Sequence, residues 1–123
     1  MSTMEDIIVA IDKSDYSDEE KADLMDVLHA KMVSITGYVG TAAKIKMQMQ
    51  LYESTEDTYM RDKTDEQLAL ARQACSKSCR RLNRMCADLS IEPFCDFDVD
   101  DVEKLDEFCR QIAMHLFMAG IRK

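Results

Sequence analysis

Three cysteines lie close together in ARQACSKSCRRLNRMCADL, residues 71–89. Cys75 and Cys79 are four positions apart, and Cys86 follows seven positions later. Side chains with these spacings share one face of an α-helix. Two thiolates one turn apart are suitable ligands for a soft metal such as Cu(I) or Zn(II), and another helix can supply more ligands. A soft-metal or thiol-based binder that uses Cys75, Cys79, Cys86 and Cys109 is therefore one hypothesis.

The same three cysteines also occupy positions that a buried helix face requires. Apolar residues recur every three or four positions along this stretch: Leu68, Ala71, Cys75, Cys79, Leu82, Cys86 and Leu89, with Met85 beside them. Free cysteine is among the most buried residue types and packs like a small apolar side chain. Strong zinc signatures contain two close pairs of ligands, and Cys75 with Cys79 is one pair. Core packing without a metal or cofactor is the favoured interpretation.

The sequence RQIAMH offers a different chemistry, because Arg110 and His115 have the R-x4-H spacing. This motif, with the polar Gln111 after the arginine, resembles that of the HEPN (higher-eukaryote and prokaryote nucleotide-binding) family of small helical proteins. The resemblance implies RNA cleavage at a dimer interface, with Arg110 holding phosphate and His115 transferring a proton. A HEPN-like ribonuclease is therefore an alternative hypothesis.

The composition limits the function classes. The chain has 123 residues, enough for a single domain over residues 1–123, and its three glycines and one proline are too few for an all-β fold rich in turns. The net charge of −8 opposes binding to nucleic acid or anionic lipid through bulk charge. No apolar stretch approaches the roughly 20 residues of a membrane span, and residues 1–15 do not have the pattern expected of a signal peptide. With five cysteines, an odd number, these features predict an acidic cytoplasmic protein.

Hydrophobic periodicity predicts four helices. Ser2 and Glu5 have the spacing of a capping box at the start of a short first helix that ends near Lys13. Ser17 and Glu20 repeat this spacing at the start of a long second helix. The apolar positions of that second helix are Leu24, Leu28, Met32 or Ile35, Val39, Ala42, Ile45, Met49 and Tyr52.

Two glycines interrupt the second helix in TGYVGT, residues 36–41. Each costs about 1 kcal/mol relative to alanine inside a helix. They predict a kink near Gly37 to Gly40, or a place where another helix crosses closely. Further along, the stretch MQMQLY, residues 47–52, extends beyond the predicted neighbouring helices. Its apolar side chains predict that a second chain covers it, most simply in a homodimer.

The polar residues 54–63 are predicted to be the one long connection, and Thr64 with Gln67 to cap the third helix. Pro93 cannot continue that helix, so it is expected to end within SIEPFCDFD, residues 90–98. Phe94 and Phe97 are expected to close the end of the bundle.

The fourth helix is predicted to begin at Asp98 as its cap, with Phe97 and Val102 as a hydrophobic staple, and to end at Gly120. Its expected inner positions are Val102, Leu105, Cys109, Ile112, Leu116 and Ala119. The third helix carries an outer basic set: Arg72, Lys77, Arg80, Arg81 and Arg84. The acidic residues 96–107 are the expected partners of these cations.

A broader resemblance covers residues 65–119. LARQACSKSCRRLNRMCADLSIEPF followed by DVDDVEKLDEFCRQIAMHLF resembles a family of small bacterial all-helical proteins known only as a domain of unknown function. Members share a long helix, a short loop and an amphipathic last helix; Cys75 stands where the family has a histidine. The resemblance implies a fold and no activity.

Taken together, these features predict an all-α antiparallel four-helix bundle with a long, kinked second helix. The favoured function is a non-enzymatic protein-interaction or structural module, with another protein or a second copy of the chain as partner. No catalytic residue and no cofactor are assigned under this interpretation, and nucleic acid and membrane are not expected partners.

Overall fold

The computed structural model describes the backbone of residues 1–53 and 58–121 and the side chains of residues 1–51, 62–112 and 114. Its four helices are α1 (Met4–Lys13), α2 (Asp18–Glu53), α3 (Thr58–Asp88) and α4 (Val102–Ile121). The described residues contain no strand, and α2 packs against each of the other three helices. The predicted all-α antiparallel bundle is confirmed.

The capping box of α1 lies one residue later than the sequence suggests. The Thr3 side chain accepts a hydrogen bond from the Asp6 backbone N–H at 3.2 Å, and the Asp6 carboxylate accepts one from the Thr3 N–H at 3.0 Å. Ser2 is instead buried, and its hydroxyl donates to the backbone carbonyl of Glu92. The prediction of Ser2 with Glu5 was wrong because a tertiary contact occupies Ser2.

Helix α2 begins as predicted and continues through both glycines. The Ser17 hydroxyl accepts from the Glu20 N–H at 3.2 Å and donates to the Glu20 carboxylate at 3.1 Å. The helix is unbroken from Asp18 to Glu53. Apart from the backbone of α2 itself, a Cβ placed at Gly37 or Gly40 would meet no described atom within 4 Å, so the prediction that another described helix crosses closely there was wrong. A kink there stays a prediction.

Helix α3 begins earlier than its predicted cap. Thr64 lies inside the helix and is buried, so it is not the N-cap, and residues 58–63 are helical rather than a connection. These residues contain no glycine or proline that would end a helix. The remaining predicted connection, residues 54–57, lies outside the described residues.

The C-terminus of α3 closes with a Schellman motif. The Ile91 N–H donates to the Cys86 carbonyl at 3.0 Å, and the Ser90 N–H donates to the Ala87 carbonyl at 3.1 Å. Ser90 has φ 59°, the left-handed conformation in which glycine is usual. The chain therefore turns before Pro93, within the segment predicted to end the helix.

Helix α4 begins three residues later than predicted. Asp101 is its cap, since the Asp101 carboxylate accepts from the Lys104 N–H at 3.3 Å. Asp98 instead accepts from the Asp100 N–H at 3.0 Å in the preceding turn. Val102, predicted to face inward, is 46% exposed. The helix also continues past Gly120 to Ile121.

One cluster of buried side chains joins the elements. Its members include Ile7, Ile11, Leu28, Ile35, Tyr38, Ala42, Ile45, Leu68, Leu82, Met85, Phe94, Leu105, Phe108 and all five cysteines. The predicted inner positions Tyr52, Leu116 and Ala119 lie outside the described side chains. Phe94 and Phe97 contact Phe108 edge to face, with ring centroids 5.5 and 5.3 Å apart. That these rings close the end of the bundle stays a prediction.

The Ser90 conformation yields a stability prediction. Ser90→Gly removes the Cβ from a left-handed position and should raise the free energy of unfolding by about 1 kcal/mol. Urea denaturation followed by circular dichroism measures this. Ser90→Ala is the matched control, since it removes the hydroxyl but keeps the strained Cβ. A gain of similar size in both variants would show that backbone strain is not the cause.

Candidate functional site

Four cysteines form a row through the core. Cys75 and Cys79 come from α3, Cys95 from the segment between α3 and α4, and Cys109 from α4, and all four are buried. The Cys75 and Cys109 sulfur atoms are 3.7 Å apart. Cys79 lies one turn from Cys75 on α3, and both Cys75 and Cys95 are close enough to influence its pKa. The four thiols therefore link α3 to α4 and to the segment that joins them.

Asn83 fixes the position of Cys95 in this row. Its side-chain NH₂ donates to the Cys95 carbonyl at 3.2 Å, and its side-chain oxygen accepts from the Cys95 N–H at 2.8 Å. Cys86 lies two turns beyond Cys79 on α3, about 10 Å along the axis. It is buried near the backbone of Phe94. The sequence thus predicted three members of the row, and Cys95 takes the place assigned to Cys86.

The surroundings of these thiols oppose their ionisation. At Cys75 the hydrogen bond with Cys109 lowers the pKa, but contact with Cys79 and burial outweigh it and raise the pKa to about 12. At Cys79 the hydrogen bond with Cys75 lowers the pKa, but contact with Cys95 and burial raise it to about 12. The hydrogen bond with Cys75 and burial raise the pKa of Cys109 well above its usual range. These groups are neutral thiols at physiological pH.

Neutral buried thiols are poor ligands and poor nucleophiles, since the thiolate is the reactive species. Within the side chains that the structure describes, no group of three or more histidines, cysteines, aspartates or glutamates is arranged to hold a metal ion. The geometry therefore favours packing as the role of the row.

A polar contact lies one helical turn from the Cys75–Cys109 pair. The Tyr38 hydroxyl donates to Asp106 Oδ1 at 3.0 Å, and Arg72 Nη2 donates to Asp106 Oδ2 at 2.9 Å. This Tyr38–Asp106–Arg72 contact joins α2, α3 and α4. Burial and then the hydrogen bond to Asp106 raise the pKa of Tyr38 above its usual value of 10.0. The phenol is thus a fixed donor, and Asp106 is already engaged by two partners.

The predicted pairing of the basic set on α3 with the acidic residues 96–107 is confirmed at two positions. Arg72 pairs with Asp106, and Arg80 pairs with Asp100. The sequence predicts Arg72 on the outer side of the helix, yet its side chain is half-buried and binds Asp106, which also accepts from Tyr38. The pattern of apolar residues does not predict the role of Tyr38, because it assigns the neighbouring Val39 to the inner face.

The structure gives no distance between Arg110 and His115, the predicted nuclease pair. Arg110 is exposed on α4, and the side chain of His115 lies outside the described residues. The separation of the two groups is therefore untested, and their role stays a prediction.

A cleft of about 800 Å³ opens between the N-terminal segment, α2 and α4. Its apolar wall is formed by Met4, Met32, Phe94, Phe108 and Ile112. Among the described side chains that line it, Glu5 is the titratable one, so these described residues provide no pair of groups for acid–base or nucleophilic catalysis.

A second stripe of residues runs along α2, opposite the core. We name it the outer seam: Asp26, Ala30, Val33, Gly37, Gly40, Lys44, Met47 and Leu51. All eight are exposed, and the exposed fractions of Val33, Met47 and Leu51 are 55%, 67% and 72%. Steps of four and three residues alternate throughout, which keeps the stripe on one face of the helix.

The opposite face of α2 carries the core. Its buried residues are Leu28, Ile35, Tyr38, Ala42 and Ile45. At 100° per residue these positions lie about half a turn around the helix from the outer seam. The exposure of Met47 and Leu51 agrees with the sequence prediction for residues 47–52, whereas Met49 is half-buried against the core. Helix α2 thus has two stripes that contain apolar residues, and the described residues of the chain bury one of them.

The chain was compared with known protein families, curated proteins and solved structures. No protein family, no curated protein and no solved structure matches this chain. The bacterial family resemblance of residues 65–119 therefore stays a prediction. Among the described residues, no helix combines the length and apolar character needed to cross a bilayer.

The burial of the thiols predicts slow alkylation. At pH 7 under non-denaturing conditions, all five cysteines should react with a maleimide at least about 100-fold more slowly than a free thiol, because burial shields their sulfur atoms from the reagent. At Cys75 and Cys79 the raised pKa of about 12 also reduces the thiolate population. Mass spectrometry over time measures the reaction. Lys77→Cys on the exposed side of α3 is the matched control and should react rapidly. Fast labelling of all five without loss of helicity would refute the packing role.

The Tyr38–Asp106–Arg72 contact predicts a large effect of one carboxylate. Asp106→Asn should lower the free energy of unfolding by about 2 kcal/mol, since charged hydrogen bonds to a half-buried arginine are lost. Asp100→Asn, in the exposed pair with Arg80, is the control and should cost about 0.5 kcal/mol or less. Urea denaturation compares the two variants. Equal effects would show that burial does not strengthen the Asp106 contact.

Proposed function

We propose that this protein is a non-enzymatic interaction module of the cytoplasm that binds another protein chain through the outer seam of α2. The observation that carries the proposal is the exposure of Val33, Met47 and Leu51 on one face of a helix whose other face forms the core. Met47 and Leu51 lie one turn apart, and Val33 lies on the same face about 21 Å away along the axis. Exposed apolar residues bordered by charges are typical of interaction surfaces. A helix that presents apolar side chains on one face can bind in a hydrophobic groove of a partner protein.

The chemistry of the described side chains supports a non-enzymatic role. A catalytic cysteine needs a lowered pKa, whereas Cys75 and Cys79 have values near 12. A general base needs a free carboxylate or imidazole within reach of a substrate, whereas Asp106 accepts hydrogen bonds from Tyr38 and Arg72. These groups hold the helices together.

The cysteines support the assignment to the cytoplasm. All five are buried, and their odd number would leave one thiol unpaired in a secreted protein. A reducing compartment keeps such thiols reduced.

Affinity purification tests the proposal. We expect the tagged wild-type chain, expressed in its host, to retain a specific protein, either another protein or an untagged copy of itself. Met47→Glu with Leu51→Glu should abolish retention, because two carboxylates on the outer seam are costly to bury at an interface. Val9→Glu on α1, where the native side chain is 49% exposed, is the matched control and should retain the same protein.

Two results would contradict this function. One is retention that is unchanged in the Met47→Glu, Leu51→Glu variant. The other is cleavage of RNA by the purified protein that disappears in His115→Ala, because this result would establish the alternative HEPN-like ribonuclease.

A further inference from the structure

We infer that the partner at the outer seam is a second copy of this chain, with the two α2 helices packed antiparallel about a two-fold axis level with Ile35. This inference rests on the proposed function, since it identifies the partner of the same surface. It follows from the order of residue types along the outer seam, from the charges at its two ends and from the free space above its glycines.

The spacing of the outer seam is the same in both directions. From Asp26 to Lys44 the steps are four, three, four, three and four residues, and their midpoint is residue 35. An antiparallel second copy in this register places Asp26 beside Lys44, Ala30 beside Gly40, and Val33 beside Gly37. Met47 and Leu51 lie beyond this segment, level with Asp23 and Glu19 of the second copy. Every one of these contacts occurs twice, as a two-fold interface requires.

The charges at the ends of this segment are opposite. Asp26 and Lys44 are both exposed on the outer seam and lie about 27 Å apart along α2. A partner of uniform charge, such as nucleic acid or an anionic membrane, would be attracted at one end and repelled at the other. A second antiparallel copy places an opposite charge at each end. The charge pattern is thus complementary to itself in this orientation.

The centre of the segment has room for a second helix. Apart from the backbone of α2 itself, no described atom lies within 4 Å of the Cβ position at Gly37 or Gly40, and Ala30, two turns before Gly37 on the same face, is small. The backbone of another helix can approach closely over such residues, as it does at other helix crossings built on small side chains. Val33 of the second copy then fills the shallow depression above Gly37 and Gly40. The glycines that disfavour a helix by their propensity therefore gain a packing role.

A charge exchange tests this arrangement on purified protein. Light scattering and sedimentation equilibrium should show a dimer of the wild-type chain. Asp26→Lys alone or Lys44→Asp alone should weaken dimerisation about tenfold or more, because each places like charges together twice. The double variant Asp26→Lys, Lys44→Asp should recover the wild-type dissociation constant within about threefold, since opposite charges meet again. Glu66→Lys and Lys77→Asp on α3 are the matched controls and should leave the dimer unchanged.

A bulky residue at the crossing point supplies an independent test. Gly37→Leu meets empty space in the single chain and improves helix propensity, so circular dichroism and thermal unfolding should show a fold at least as stable as the wild type. The same leucine fills the depression that Val33 of the second copy occupies, so the variant should be monomeric. A dimer as tight as the wild type in Gly37→Leu would overturn the inference.

The two proposals fail in different experiments. A wild-type chain that stays monomeric at about 100 µM, or a charge-exchanged double variant as weak as the single variants, would overturn the antiparallel dimer. Retention of a different protein in the affinity purification, lost in Met47→Glu with Leu51→Glu, would leave the interaction function standing while refuting the second copy as partner.

Discussion

The burial of one face of α2 against the other three helices is the constraint on which the rest of the structure depends. Isolated short helices are marginal in water, so the amphipathic α1 gains its stability from this packing. Tyr38, on the buried face of α2, carries a phenol that reaches Asp106 on α4, and Arg72 on α3 completes the contact. Within the described part of the chain, every deeply buried side-chain nitrogen or oxygen has a hydrogen-bond partner. Apolar burial thus provides the driving force, and this polar contact helps to specify which helices meet.

Sulfur illustrates how environment decides between structure and chemistry. Cys75, Cys79, Cys95 and Cys109 would make a strong set of soft-metal ligands if they were ionised and suitably spaced. In this core, each is surrounded by apolar atoms and by other thiols, and the pKa values of Cys75 and Cys79 rise to about 12. The desolvation that makes cysteine a good packing residue also removes its reactivity.

The sequence alone predicted the helical class, the four elements and most of the buried positions, because three- and four-residue spacing is a direct consequence of helix geometry. The errors concern features that tertiary contacts decide. Ser2 is drawn to Glu92, which moves the first cap to Thr3, and Asp98 serves a turn while Asp101 caps α4. The sequence predicts the outer seam only in part, because Met47 and Leu51 stand out as apolar whereas Asp26, Gly37 and Lys44 do not. The opposite charges at the two ends of the outer seam and the open space above its glycines can be recognised only once the exposure of these residues is known.

Because α2 carries apolar residues on two opposite sides, hydrophobicity alone does not decide which side of the helix is buried. The composition of the outer seam decides the matter. With Gly37 and Gly40 at its centre it offers too little volume to fill the space occupied by Ile35 and Tyr38, and an inverted helix would leave a cavity where the core should close. It would also separate the phenol of Tyr38 from its carboxylate partner. The two surface glycines, which have no side chains, therefore help to determine which face of α2 is buried.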